Sequence, residues 1–503
     1  MFRKFRSAVR PAHNLRAFQT LEEAARIFSA VWKHSDLLMK SFTPSYRELL
    51  RIAVPLIITS ASFTVQNFCD RMFLAWYSPA ALQAAVPAGI LFFTLVCGFM
   101  STAAFANSLV AQYYGSGDLH SCSRSVAQAI LLALFSFPLI LLMIPLGLWM
   151  LSLSGHAPDV MAAEKTYFSV LMLGGLYLPI SSAVSSFFSG RGLTKVVMLC
   201  ALVSMGLNLI LNWLLIFGVG PFPEMGVAGA ALASVISGFA SPVIMLALYF
   251  GPKNNRLYDT RRLFYFDAPL FRRLLKFGIP SGIHIALDVG AFSLFVLLVG
   301  RLGETALMAA NIALSVNMIA FMPSIGIGQA AGTLVGQHMG RRDFDGAAAA
   351  GWRAVHLGWI YTVCAALTFV LMPEVYIRLF ARGDVPFDEI YSLARTLLVF
   401  ASCWGLMDST NLILSGALRG SGDTHFVMWY ETAMAWFFFA AGELLIVLVF
   451  KWGVIAAWAW ALIYICLLAL GMIARFRSRR WQKIELIERA PVLTEASEGI
   501  PVG

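Results

Sequence analysis

The chain has 503 residues, 59% of them hydrophobic and only 13% charged, roughly half the charged share of a soluble domain. That balance excludes an ordinary soluble enzyme. The net charge of +10 does not point to nucleic acid either, because the basic residues fall in loops between apolar runs.

Taken in chain order, residues 1–45 carry Arg3, Lys4, Arg6, Arg10 and Arg16 before the first acid, Glu22. They contain no apolar core of a cleaved signal peptide and read as a basic cytoplasmic arm, either resting on anionic lipid or dispensable. Apolar runs long enough to cross a bilayer then follow one another. They predict twelve helices over 48–76, 82–112, 125–151, 163–188, 195–218, 226–250, 272–300, 306–336, 347–372, 388–415, 424–450 and 453–475. With the N-terminus placed inside, thirty of the 37 Lys and Arg lie on the cytoplasmic side, so both termini are expected there. Seven cysteines, without any C-x-x-C, lie mostly inside the apolar runs and read as buried small hydrophobes rather than disulfides or metal ligands.

The most basic connection, around 253–271, divides the chain into six helices plus six: a bundle over 46–252, a cytoplasmic linker over 253–271, a second bundle over 272–475 and a tail over 476–503. The halves repeat. Leu49-Leu50-Arg51-Ile52-Ala53-Val54-Pro55 recurs as Leu274-Leu275-Lys276-Phe277-Gly278-Ile279-Pro280, an offset of 225. The same offset pairs Gln112, Gly115 and Asp118 with Gln337, Gly340 and Asp343. Six spans per repeat make both halves enter the membrane from the same side. Such parallel repeats build an all-α, polytopic fold of two pseudo-symmetric bundles with a cavity between them, a geometry suited to alternating access.

An ionisable group inside a bilayer costs several kcal/mol, roughly, unless neutralised or solvated, so each one needs a reason. Asp70 extends a polar stripe through Ser62 and Gln66, at i, i+4 and i+8, about 30 Å along span 1. The alternatives are a packing hydrogen-bond network or a pair with Arg71. Asp288 in span 7 has His284 one turn below, so His284 is either a packing residue or a proton carrier. Asp408 in span 10 shares a face with Trp404, Asn411 and Ser415. Asn208 and Asn212, with Ser204, form a further stripe in span 5. Glu443 in span 11 reads as packing or local pairing. The acids are not duplicated: the repeat places Phe63 opposite Asp288, Ile180 opposite Asp408 and Phe295 opposite Asp70. The two bundles should therefore differ in chemistry. Pro55, Pro280 and Pro323 are candidate bending points or static kinks.

Pro55…Gln66…Asp70-Arg71-Met72, Val335-Gly336-Gln337-His338-Met339-Gly340 and Gly416-Ala417-Leu418-Arg419-Gly420-Ser421-Gly422-Asp423-Thr424 together resemble the multidrug and toxic compound extrusion (MATE) family, over about residues 45–475. The resemblance implies two bundles and export of cationic or amphipathic compounds by antiport against Na⁺ or H⁺, with no other cofactor. The unduplicated acids give one reading independent of the family: Asp288 and Asp408 form the ion site (a possible Na⁺ site), with Asp70 coupling separately to substrate or proton. Asp288 stands where the family usually has Glu, Trp404 where it commonly has Tyr, and Asn212 where some branches have Asp. The expected setting is an inner or plasma membrane, as a monomer acting on small molecules. The alternatives are a lipid-linked oligosaccharide flippase of the same superfamily or a membrane-embedded transferase, the latter without any catalytic motif in the sequence.

Overall fold

The computed structural model describes residues 44–153, 155–261, 266–378 and 387–488, so the basic arm and the chain beyond Glu488 lie outside the described residues. Two compact units divide after Arg51; the first is described only through the opening turns of a helix, and the second, from Ile52, carries everything below.

Twelve described helices are long and apolar enough to cross a bilayer, and no strand occurs among the described residues. They are α1 (Tyr46–Tyr77), α2 (Pro79–Ser116), α3 (Leu119–Leu142), α4 (Pro158–Ser189), α5 (Thr194–Phe217), α6 (Gly226–Tyr249), α7 (Ala268–Gly300), α8 (Glu304–Gly340), α9 (Phe344–Leu371), α10 (Ile390–Ser421), α11 (Thr424–Val449) and α12 (Val454–Arg477). All twelve predicted spans are present.

The prolines act differently from one site to the next. Pro55, Pro280 and Pro323 lie inside continuous helix. By contrast, α4 is interrupted at Gly175-Leu176, where Pro179 has no N–H to give the Gly175 carbonyl. The span predicted over 125–151 breaks at Met143, two residues before Pro145, and resumes as a short helix over Ile144–Ser152. The middle of α11 relaxes into two π-helical stretches, Met434–Ala440 and Leu445–Val449.

Apolar packing segregates by half. One core cluster runs from Ala291 to Leu468 and another from Leu74 to Ala231. The fold is thus all-α, with two related six-helix halves. A third cluster, built on Leu109, Tyr113, Val126 and Phe187 of the first half, also takes in Leu270, Leu274 and Phe277 from the start of α7 and Leu486 and Ile487 after α12. The chain beyond α12 is therefore partly packed structure: Trp481 is buried, and Arg273 reaches both the Leu486 carbonyl and the Glu488 carboxylate. The 253–271 linker likewise contains a short helix, Pro252–Tyr258.

Close helix approach comes from glycine. On α8, Gly328, Gly332 and Gly336 are four residues apart and so share a face, which meets Gly416 and Gly420 of α10. A Cβ at Gly416 would collide with the Gly328 carbonyl, and one at Gly420 with the Gly332 carbonyl. Between lipid-soluble helices, backbone-to-backbone packing of this kind supplies the attraction that burying apolar side chains supplies in water.

Cysteine burial is mixed. Cys97, Cys122 and Cys200 are buried as expected, but Cys364 and Cys403 are exposed on apolar helices, and all seven are free thiols.

Candidate ion and substrate sites

The first half holds one acid deep among the helices. Asp70 on α1 is buried, Asn212 of α5 donates to its Oδ1, and Ser234 of α6 donates to Oδ2 at 3.4 Å. Asn212 also donates to Asn208 Oδ1 at 3.0 Å, so the amides form a chain ending on the acid. The i, i+4 spacing of the two asparagines puts both on the face of α5 that meets α1 and α6. Tyr167 and Tyr177 of α4 lie within electrostatic range. The structure brings Asp70, Asn208 and Asn212 together. Gln66 is half-buried and is not among Asp70's hydrogen-bond partners, nor does Arg71 pair with it. Ser234, on a span with no charged residue, escaped the sequence reading.

A cavity of about 200 Å³ is lined by hydroxyls and an amide alongside apolar groups: Thr59 of α1, Ser181, Ser182 and Ser185 of α4, Ser241 of α6 and Gln329 of α8, with Leu56, Val197 and Met245. Helices of both halves contribute to it.

The second half concentrates charge. Asp288 of α7 carries an exposed side chain, although α7 is enclosed by α2, α8 and α11. It lies within electrostatic range of His284, Glu431 and Arg419, while half-buried Asp408 of α10 feels both Asp288 and Glu431. Tyr464 of α12 faces all three acids. Three carboxyls therefore share one region with a single guanidinium and a single imidazole.

His284 is buried beside Asp288 but finds its direct partners elsewhere. Its Nε2 contacts the Glu431 carboxylate on α11, and its Nδ1 lies 3.1 Å from the Arg419 guanidinium at the end of α10. Arg419 also approaches Glu431 at 3.6 Å. Glu431, 5% exposed and seven residues into α11, was overlooked in the sequence, although as an intramembrane acid it carries the same signal as Asp288. Arg419 sits in the turn motif and was counted there as a loop charge.

The remaining second-half candidates separate. Trp404 is buried in the apolar core, its ring centroid 5.1 Å from that of Trp458, and its indole N–H has no hydrogen-bond partner among the described residues. Asn411 is buried with its Oδ1 unpartnered. Glu443 corrects the expectation of local pairing: it is fully buried between the two π-helical stretches, and neither carboxyl oxygen has a hydrogen-bond partner among the described residues.

The registered residues of the repeat have structural work. Asp118 and Asp343 cap α3 and α9, accepting from Ser121 N at 3.0 Å and Gly346 N at 2.8 Å. Gln112 at the end of α2 donates to the Gly420 carbonyl at 3.0 Å, and Gln337 at the end of α8 donates to the Gly190 carbonyl at 2.8 Å. Each glutamine thus satisfies a last-turn carbonyl, which a helix end leaves open, on a span of the opposite half. Gly115 meets the Gln337 carbonyl and Gly340 meets the Gln112 carbonyl so closely that a Cβ fits at neither. Asn107 adds a cross-half bond to Thr333 at 3.2 Å.

Comparison with known proteins agrees with this architecture. The MatE family model matches twice, over residues 55–214 and 280–438, the starts being 225 residues apart (280 − 55). A probable multidrug resistance protein NorM of Bradyrhizobium diazoefficiens is 30% identical over 398 residues, covering 77% of this chain and 84% of the relative. That of Brucella suis is 28% identical over 443 residues, covering 86% and 92%. Among solved structures, an outward-facing multidrug resistance MATE transporter of the MOP superfamily superposes with a TM-score of 0.79 at 18% identity, over 87% of this chain and 97% of that one. A MOP superfamily transporter from Pyrococcus furiosus gives 0.78, also at 18%, over 87% and 96%. Likeness at that identity speaks for the fold; with the duplicated family match and the relatives, it settles the assignment, and the chain belongs to the MatE family of membrane transporters.

Proposed function

We propose that this protein is a multidrug antiporter that exports cationic or amphipathic small organic molecules across the cell or inner membrane, coupled to inward proton flux by alternating access. Both termini lie in the cytoplasm in this reading, as the distribution of Lys and Arg requires.

One observation carries it: the second-half cluster has more carboxyls than bases. Asp288, Asp408 and Glu431 share the region with Arg419 as its one guanidinium, and Arg419 and His284 are both engaged with Glu431. Asp288 and Asp408 are left without a basic partner of their own. At a cost of about 2.5–3.5 kcal/mol for each ionised carboxylate near a bilayer centre, the pair favours any cation that reaches it. A proton neutralises it and removes the penalty for closing the site onto dry protein. An organic cation competes for the same charge, while neighbouring aromatic faces hold its apolar body. The hydroxyl-lined cavity between the halves is a route along which a substrate's polar groups find partners. Each charge moved down about 100 mV supplies about 2.3 kcal/mol, enough to drive uphill export.

The test is efflux of a cationic dye from liposomes containing the purified protein, under separately imposed pH and Na⁺ gradients. Dye movement should follow the pH gradient. Movement driven by Na⁺ alone would replace the coupling ion, and absence of movement under both gradients would overturn the antiporter reading.

A further inference from the structure

The two contacts of His284 assign different roles to its ring nitrogens. A guanidinium only donates, so the Nδ1 that faces Arg419 at 3.1 Å must offer a lone pair. The proton of the neutral ring then sits on Nε2, where it is donated to the Glu431 carboxylate. Arg419, His284 and Glu431 together are electrically neutral in this arrangement. A proton added to Nδ1 places an N–H against the N–H of Arg419 and a positive ring against a positive guanidinium. The bond to Glu431 survives that change; the bond to Arg419 does not.

Arg419 is tied to the cross-half contacts. It immediately precedes Gly420, whose carbonyl accepts from Gln112 of the other half. Both residues lie in the last turn of α10, packed on the glycine face of α8. Arg419 Nε is buried without a hydrogen-bond partner, so the guanidinium is incompletely held where it is.

We infer that His284, Glu431 and Arg419 form a second coupling site, adjoining the Asp288–Asp408 pair, through which a proton loosens the cytoplasmic closure between the two halves. The proton binds the Nδ1 lone pair, no covalent bond breaks, and the hydrogen bond from Arg419 is lost. Arg419 is displaced, the last turn of α10 moves with it, and the Gln112–Gly420 bond weakens. Loss of the proton to the cytoplasm restores the neutral ring and the closure. Glu431 and Arg419 are positioning residues: they orient the ring and report its charge to the helix end. The groups facing His284 are Asp288 on its own helix, Glu431 on α11 and Arg419 on α10; Asp408 on α10 and Tyr464 on α12 face those acids in turn. Of the other helices packed on α7, the membrane-embedded parts of α2 and α8 bring no charged side chain, and α3 brings His120 and Arg124 near its start, the latter paired with Asp267. The inference rests on the transport reading for its direction but is read out by a separate measurement.

That measurement is the distance between spin labels on the exposed ends of α3 and α12, at His120 and Arg480, in full-length protein with its native cysteines replaced, in lipid nanodiscs. Between about pH 8 and about pH 5.5, either side of the histidine range, the long-distance population should rise about threefold or more. His284→Gln, which cannot take the charge, should show less than half of that rise. Gln112→Ala should give a raised long-distance population at both pH values. If His284→Gln does not yield monodisperse protein, Arg419→Ala takes its place and should be open and pH-insensitive. A full wild-type rise in His284→Gln, or in Arg419→Ala, overturns the inference. Dye efflux by the same proteins in liposomes judges the transport reading on its own: normal efflux with an unresponsive distance sinks only the coupling site, and absent efflux with a responsive distance sinks only the antiporter.

Discussion

Asp70 and the Asp288–Asp408 pair are acids on membrane-spanning helices of one duplicated scaffold, yet Asp70 is buried, Asp408 half-buried and Asp288 exposed, and their surroundings differ in kind. Asp70 accepts from a carboxamide and a hydroxyl, with no positive charge at hydrogen-bond distance. Asp288 and Asp408 face a third acid and a base that is already engaged. The first arrangement stabilises one carboxyl through dipoles; the second leaves charge that only an arriving cation can balance. In the proposed function, one half of the duplicated fold holds its acid and the other exchanges a cation.

Removing charge from the exchanging half should have the largest effect. Asp288→Asn and Asp408→Asn are each expected to abolish ethidium efflux from cells, a loss of about a hundredfold or more, with membrane protein levels unchanged. Normal efflux in either variant breaks the comparison at its stronger side. Next come the two cross-half bonds: Gln112→Ala with Gln337→Ala leaves two helix-end carbonyls without partners, at about 1–3 kcal/mol each where they are buried. Accelerated cysteine labelling at the cytoplasmic ends of α2 and α8 is the expected readout, and unchanged labelling would show that the bonds do not hold the closure.

Asp70→Asn keeps one oxygen to accept from the Asn212 amide and turns its NH2 towards the Ser234 hydroxyl, which can accept, so a reduction of efflux by only about three- to tenfold is expected. A loss as complete as for Asp408→Asn would make the two halves equals and end the distinction drawn here. The smallest effects belong to the duplicated caps. Asp118→Ala and Asp343→Ala should each cost about 1 kcal/mol of stability, to similar extents, in thermal unfolding of the detergent-solubilised protein. The Gly346 N–H and His338 hold the Asp343 carboxyl below the usual carboxylate range. Its folded value being depressed, its contribution is present at neutral pH and fades as pH falls through that lowered value. A stability loss on acidification that Asp343→Asn leaves unchanged would show that the cap is not among its causes.

The twelve spans, the repeat and two of the buried acids, Asp70 and Glu443, were legible because lipid allows few solutions. A carboxyl among twenty apolar residues stands out wherever it falls. Asp70, Asn208 and Asn212 were readable as stripes on facing helices, and the structure joins them. Glu431 was equally visible and was passed over. Its importance comes from α11 lying against α7, so that an acid seven residues into one helix meets a histidine on another. Trp404 shares a face with Asp408 on a helical wheel, but the stacking of Trp458 upon it turned it to the core. Glu443 was readable as packing or local pairing; it is buried, and neither carboxyl oxygen has a hydrogen-bond partner among the described residues.

The amino-acid order alone determined that this chain crosses a membrane twelve times, in two related halves, with acids confined to a few depths. Hydropathy, helical rise and the cost of charge in lipid act on each segment separately, so no neighbour is needed to read them. Which polar groups meet was decided only in three dimensions. The bond from Gln112 to Gly420 spans 308 residues and that from Gln337 to Gly190 spans 147, separations over which local periodicity carries no information. Glycine faces bring those backbones together, and it is that approach, rather than any property of the glutamines, that lets each half close the open helix end of the other.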